Sequence, residues 1–87
     1  MSDFPFTELT MNDGTIRVFS ENTDRRDLIW HRDAENRVIR IIESNGWKLQ
    51  RDNSIPVDLE PGSRHFIKAE SWHRVIKGHG PLVVEVR

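Results

Sequence analysis

The sequence predicts an all-β fold, a small antiparallel sandwich or barrel, and three observations carry that reading. No stretch of about 11 or more residues keeps an uninterrupted 3.6-residue apolar period. Several short stretches instead alternate at period two and are rich in β-branched and aromatic residues. Turn-forming residues separate them at short intervals, with no crossover long enough to build alternating α/β units.

The elements follow in chain order. Phe6-Thr7-Glu8-Leu9 leads into Asn12-Asp13-Gly14, whose tolerance of positive φ suits a tight hairpin, and Thr15-Ile16-Arg17-Val18-Phe19 returns from it. The polar stretch from Glu21 to Asp27 reads as a loop. Strands are expected at Leu28 to Arg32, Arg37 to Glu43 and Trp47 to Arg51, with the turn Ser44-Asn45-Gly46 between the last two. Beyond Asp52-Asn53-Ser54, a short strand from Val57 to Leu59 is closed by Pro61-Gly62. His65 to Lys68, Trp72 to Ile76 and Leu82 to Val86 complete the set, and Gly78-His79-Gly80-Pro81 is the last turn. An immunoglobulin-like sandwich usually takes about 100 residues, more than this chain supplies.

With 87 residues the chain is expected to form a single domain, residues 1–87. A core this small gains from a partner subunit. The absence of cysteine excludes disulfides, thiolate metal sites and a cysteine nucleophile. Thirteen Lys and Arg against 14 Asp and Glu, with the signs interspersed, leave no electrostatic footprint for nucleic acid or an anionic membrane. Apolar runs fall far short of the roughly 20 residues a membrane span needs. The start, Met1-Ser2-Asp3, lacks the basic and apolar regions of a signal peptide, so a cytoplasmic location is expected. There is no Gly-x-x-x-x-Gly-Lys loop, no Gly-x-Ser-x-Gly elbow and no His-Glu-x-x-His.

One constellation carries chemistry. On a strand from Leu28 to Arg32, His31 and Asp33 project to the face of Ile29, and His73 shares a face with Val75 on its own strand. Two imidazoles and a carboxylate on inward faces are the ingredients of a facial triad for a divalent ion. Neutral imidazole donates an in-plane lone pair, the carboxylate offsets charge, and the remaining positions stay open for substrate or water. A histidine on a half-buried strand is otherwise a core or rim residue; His65, beside Ile67, reads as structural and His79, in a glycine turn, as solvated.

From Trp30 to Lys77 the chain resembles the cupin superfamily, which carries two sequence motifs. In the second, Gly62, five residues, Lys68, one residue, Glu70, two residues and His73 reproduce the spacing of the family's glycine, proline, glycine and metal-binding histidine. Lys68 and Glu70 replace the proline and the second glycine. In the first, His31-Arg32-Asp33 stands for the family's His-x-His, Arg37 or Val38 for its glutamate, and Ser44 or Asn45 for its glycine, with Gly46 just beyond. Fifteen residues separate Gly46 from Gly62.

The resemblance implies a small antiparallel jelly-roll barrel in which His31, Asp33 and His73 converge on one divalent metal ion (Fe, Mn, Ni or Zn). Arg37 shares a face with Ile39 and Ile41 and should point inward, where a buried guanidinium needs a carboxylate such as Asp33, Glu35 or Glu85. Two readings remain open at this point. Arg37 either grips an acidic group of a small-molecule substrate above the metal, or neutralises Asp33 in a metal-free pocket. The matching functions are a metal-dependent oxygenase or isomerase, a non-catalytic module binding a sugar, acid or effector, and a structural dimer. A homodimer is expected because Trp30, Trp72, Val38 and Ile42 all face outward. Residues 1–10, with Phe4-Pro5-Phe6, would serve as a strap or a dimer-exchange segment.

Overall fold

The computed structural model describes residues 4–87. The eight strands are β1 (Thr7–Met11), β2 (Gly14–Phe19), β3 (Arg37–Glu43), β4 (Lys48–Arg51), β5 (Val57–Asp58), β6 (Arg64–Ile67), β7 (His73–Ile76) and β8 (Leu82–Val86). One sheet has the order β1-β2-β8-β3-β6 and the other β5-β4-β7, and every ladder is antiparallel. No α-helix forms among the described residues; a single 3₁₀ turn spans Arg25–Asp27. The two sheets face each other without a ladder between them, so the barrel expected from the sequence is open along its seams.

Alternation explains which side of each strand is buried. In β8, Leu82, Val84 and Val86 are buried while Val83 and Glu85 are less so. In β3, Arg37, Ile39 and Ile41 line the interior and Val38 and Ile42 are exposed, as the strand phase requires. Ile41, Leu82, Val84 and Val86 join Phe19, Leu28, Trp47, Leu49, Leu59 and Ile67 in one core between the sheets, with Ile39 packed against it. Trp47 is fully enclosed, and its indole N–H donates to the Gly80 carbonyl at 2.8 Å. The burial is therefore gained without an orphaned donor. That contact needs the two loops to touch: a Cβ on Gly78 would lie 2.0 Å from the Asn45 carbonyl oxygen.

The first hairpin is as tight as expected, with Met11 opposite Gly14, but by a different device. None of Asn12, Asp13 and Gly14 has positive φ. Gly14 serves close approach, since a Cβ there would sit 3.0 Å from the Val86 carbonyl oxygen.

The largest departure from expectation is Leu28 to Arg32, which does not form a strand. Asp24 caps the 3₁₀ turn through the Arg26 N–H, and Leu28 leaves it at φ −93°, ψ 70°, outside the extended region. Of this segment only His31 joins a sheet, in an isolated bridge with His73.

Candidate metal centre

That single bridge brings the two histidines together. His31 N–H donates to the His73 carbonyl at 3.0 Å, and His73 N–H returns to the His31 carbonyl at 2.9 Å. Directly opposed residues of an antiparallel pair project their side chains to one side of the sheet. The two rings lie 4.3 Å apart, centroid to centroid. Asp33 arrives by another route: its carbonyl accepts the Glu70 N–H at 2.7 Å, and the Asn36 side chain accepts the Ala69 N–H at 2.8 Å. The loop after His31 is thus tied to the turn before β7. Asp33 Oδ2 lies 3.4 Å from His73 Nε2. One ligand atom each from His31, Asp33 and His73 falls within a 4.8 Å span. The triad that the sequence assembled from a strand face is assembled here by a bridge and a tied loop.

The hydrogen bonds of the imidazoles determine their tautomers. His31 Nδ1 lies 3.0 Å from the Ile29 carbonyl and His73 Nδ1 lies 2.9 Å from the Ser71 carbonyl. A carbonyl only accepts, so each Nδ1 carries a proton, and in the neutral imidazole the lone pair is then on Nε2. Orientation of a histidine through its second nitrogen is the usual outer support of a metal ligand. Burial holds the His73 imidazole below the ordinary histidine range, against the opposing pull of the Ser71 carbonyl; with only 4% of the residue exposed, the neutral form is favoured. His31 is exposed at the mouth and Asp33 half-buried. The donor set of two imidazole nitrogens and one carboxylate fits a divalent ion with open positions.

The centre opens into a cavity of about 530 Å³ between the sheets, where Arg37 also lies. Arg37 Nε is 3.7 Å from Asp33 Oδ2, too far for a hydrogen bond, and is buried with no hydrogen-bond partner among the described residues. The expected close pairing with a carboxylate is therefore loose, and the Arg37 side chain keeps 28% of its surface exposed. Glu85, one of the partners considered for Arg37, lies across the sheet and pairs with Arg40 at 3.0 Å, which holds its carboxyl below the usual carboxylate range.

The other expectations resolve locally. His65 faces inward beside Ile67 and its Nε2 donates to Ser63 Oγ at 2.9 Å, because the Ser63 hydroxyl proton goes to the Glu60 carbonyl. His79 is exposed. Of the segment 1–10, residues 1–3 lie outside the described residues. Phe6 packs tilted on Phe19 with centroids 5.2 Å apart, and Thr7–Met11 pairs with β2 of the same chain. Trp30 and Trp72 are 37% and 43% exposed, but Arg74 stacks over Trp30 at 4.8 Å and Arg32 over Trp72 at 5.2 Å. They flank the three-stranded sheet, whereas Val38 and Ile42 belong to the five-stranded one; they form two separate surfaces, not one.

No protein-family model matches the chain, and no curated protein sequence is similar to it. Solved structures do match its architecture. A cupin domain from Bordetella pertussis superposes with a TM-score of 0.64 at 18% identity, over 99% of this chain and 94% of that one. The chain has the cupin fold. A structure of DMSP lyases gives a TM-score of 0.73 at 19% identity, over 93% of this chain, which spans 44% of the lyase chain. The iron(II) form of HppE with its substrate gives 0.66 at 18% identity, over 93% and 51%.

Within the cupin fold the irregular motif positions become intelligible. Glu70, in the place of the motif's second glycine, has φ +63°, the left-handed conformation that glycine adopts without strain. In the turn after β3 the positive φ belongs to Gly46, at +79°, and not to Ser44 or Asn45. Arg37 and not Val38 takes the inward place of the motif's glutamate, because Val38 faces out opposite Phe66. The orphaned Arg37 Nε is the feature that sequence reasoning missed; only the inward phase of β3 signalled it.

Proposed function

We propose that this chain is a small metal-dependent cupin that uses His31, Asp33 and His73 to hold one divalent ion, Fe, Mn, Ni or Zn, and acts on a small organic molecule by oxygenation or isomerisation. One observation carries the reading: three ligand atoms within a 4.8 Å span, with both imidazole Nε2 atoms left free by Nδ1 bonds to backbone carbonyls. The ion would supply Lewis acidity and open coordination positions. The protein supplies the rest. The Ile29 and Ser71 carbonyls orient the ligands, apolar walls restrict water, and Arg37 serves as the substrate-binding residue. HppE, similar in fold, is an iron(II) protein by its own description, which supports a metal in this architecture. Elemental analysis of protein purified without an affinity tag tests the proposal. Near-stoichiometric Fe, Mn, Ni, Co or Zn is expected; a metal-free protein that also fails to take up any of them at neutral pH would replace it with the non-catalytic binding module, in which Arg37 neutralises Asp33.

The chain is also proposed to work as a homodimer in the cytoplasm, as one domain of residues 1–87. Support for the dimer comes from the outer face of the five-stranded sheet, where Leu9, Met11, Val18, Val38, Ile42 and Phe66 are all exposed. Apolar residues gathered on one face mark an interaction surface in a way that scattered ones do not. Of the charges at its centre, Arg40 and Glu85 already pair with each other.

A further inference from the structure

We infer that the cavity takes an organic monoanion with an apolar body, its charged head on Arg37 and its body against the aliphatic walls. The inference rests on the metal-centre reading for the place of the head and on the cavity itself for the rest.

Charge selects an anion. Three arginines and two aspartates line the cavity, Arg17, Arg32 and Arg37 against Asp27 and Asp33. Two of the arginines are engaged elsewhere: Arg17 with Glu8 at 2.8 Å, and Arg32 with Glu70 at 3.5 Å and the Trp72 ring. Arg37 alone of the three has a buried nitrogen without an acceptor. The carboxylate oxygen beside it, Asp33 Oδ2, also lies 3.4 Å from His73 Nε2. An ion held there by Asp33 would add further positive charge beside Arg37. An unmet donor on a charged group in a low-dielectric site is costly, and a planar guanidinium is best answered by a forked oxyanion.

The walls select the body. Fourteen of the 21 lining residues are apolar, among them Phe19, Leu28, Ile39, Leu49 and Val75. A sugar would set hydroxyls against these side chains without partners, a penalty an aliphatic or aromatic chain escapes. At about 530 Å³ the space lies in the range of small-molecule sites. A carboxylate of several carbons therefore fits better than acetate, an alcohol or a sugar.

The test is calorimetry on cobalt(II)-loaded protein with hexanoate, acetate and 1-hexanol as probes. Hexanoate is expected to bind at least about tenfold more tightly than either of the others. Arg37→Gln should bring hexanoate down to the level of 1-hexanol while cobalt affinity stays within about threefold, and Arg37→Lys should fall between. The inference is overturned if hexanoate binds no better than 1-hexanol. It is equally overturned if Arg37→Gln, folded by circular dichroism, binds hexanoate as wild type does. Should the wild type take up no cobalt, the metal reading fails, and the same titration on the apoprotein decides the anion separately: Arg37-dependent hexanoate binding sustains it and its absence ends it.

Discussion

Glu70 donates its backbone N–H to the Asp33 carbonyl at 2.7 Å while holding φ at +63°. The two facts belong together: the left-handed turn aims that N–H back at the loop, and the bond sets Asp33 beside His73. A glutamate at positive φ is strained where glycine is not. Glu70→Gly should therefore raise stability by about 0.5–1 kcal/mol, the relief of strain outweighing the extra freedom of the unfolded chain, and Glu70→Val should lower it by about 1 kcal/mol or more. Urea titration measures both. A destabilised Glu70→Gly would show that the exposed side chain, through its ion pair with Arg32, matters more than the backbone.

Metal binding should depend on three residues and spare the fourth histidine outside the cavity. His73→Ala should abolish near-stoichiometric uptake, and Asp33→Asn should weaken it by removing the one ligand charge. His79→Ala, in an exposed turn, should change nothing. Imidazole must be neutral to bind, so affinity should fall in acid, and because burial holds His73 below the ordinary histidine range its protonation should compete only below about pH 6.5. Equilibrium dialysis of cobalt(II) at several pH values gives all four outcomes, and His73→Ala binding like wild type would rule out the centre.

Without metal, the folded chain should lose stability in mild acid. Burial lowers the pKa of both His65 and His73 below the usual histidine value, with the nearby Arg51 guanidinium adding to the effect. Between the folded and unfolded pKa values the unfolded state binds more protons, so stability rises with pH there. It should be fully present above about pH 6.5, decline as pH falls from there, and level off once the folded-state imidazoles are protonated. Thermal melts of apoprotein across pH 4.5 to about 7.5 test the sign, and His65→Gln should make the slope shallower.

How far the fold was legible differs by element. β3 and β8 have the predicted bounds because both are rich in β-branched residues and pair with each other within the five-stranded sheet, despite a bulge between Ile41 and Glu43. Leu28 to Arg32 is likewise apolar and aromatic but has a preceding capped turn and one bridge, and composition cannot show which backbone groups find partners. The convergence of His31, Asp33 and His73 was legible from their motif spacing, although the strand invoked to align two of them does not exist. The positive φ of Glu70 had one signal, its place at the motif's second glycine, since nothing in a glutamate itself announces a left-handed backbone. The unpaired Arg37 Nε depends on a distance of 3.7 Å to Asp33, a tertiary quantity that spacing does not encode.

The dimer prediction follows from the same separation of faces. Val38 and Phe66 are direct cross-strand partners on the outer side of β3 and β6, and Val18 stands on the same side of β2. Trp30 and Trp72 lie beside the other sheet with arginines over their rings, which leaves them less to gain from a partner. Light scattering at micromolar concentration should give twice the chain mass for wild type and for Trp72→Ser. Val38→Glu combined with Phe66→Glu places like charges opposite each other on the proposed face, and across a two-fold axis the same charges meet again. The double variant should be a folded monomer, with the far-ultraviolet dichroism of wild type. A wild-type monomer would end the dimer proposal, whereas a dimer that survives the double variant but not Trp72→Ser would move the interface to the three-stranded sheet.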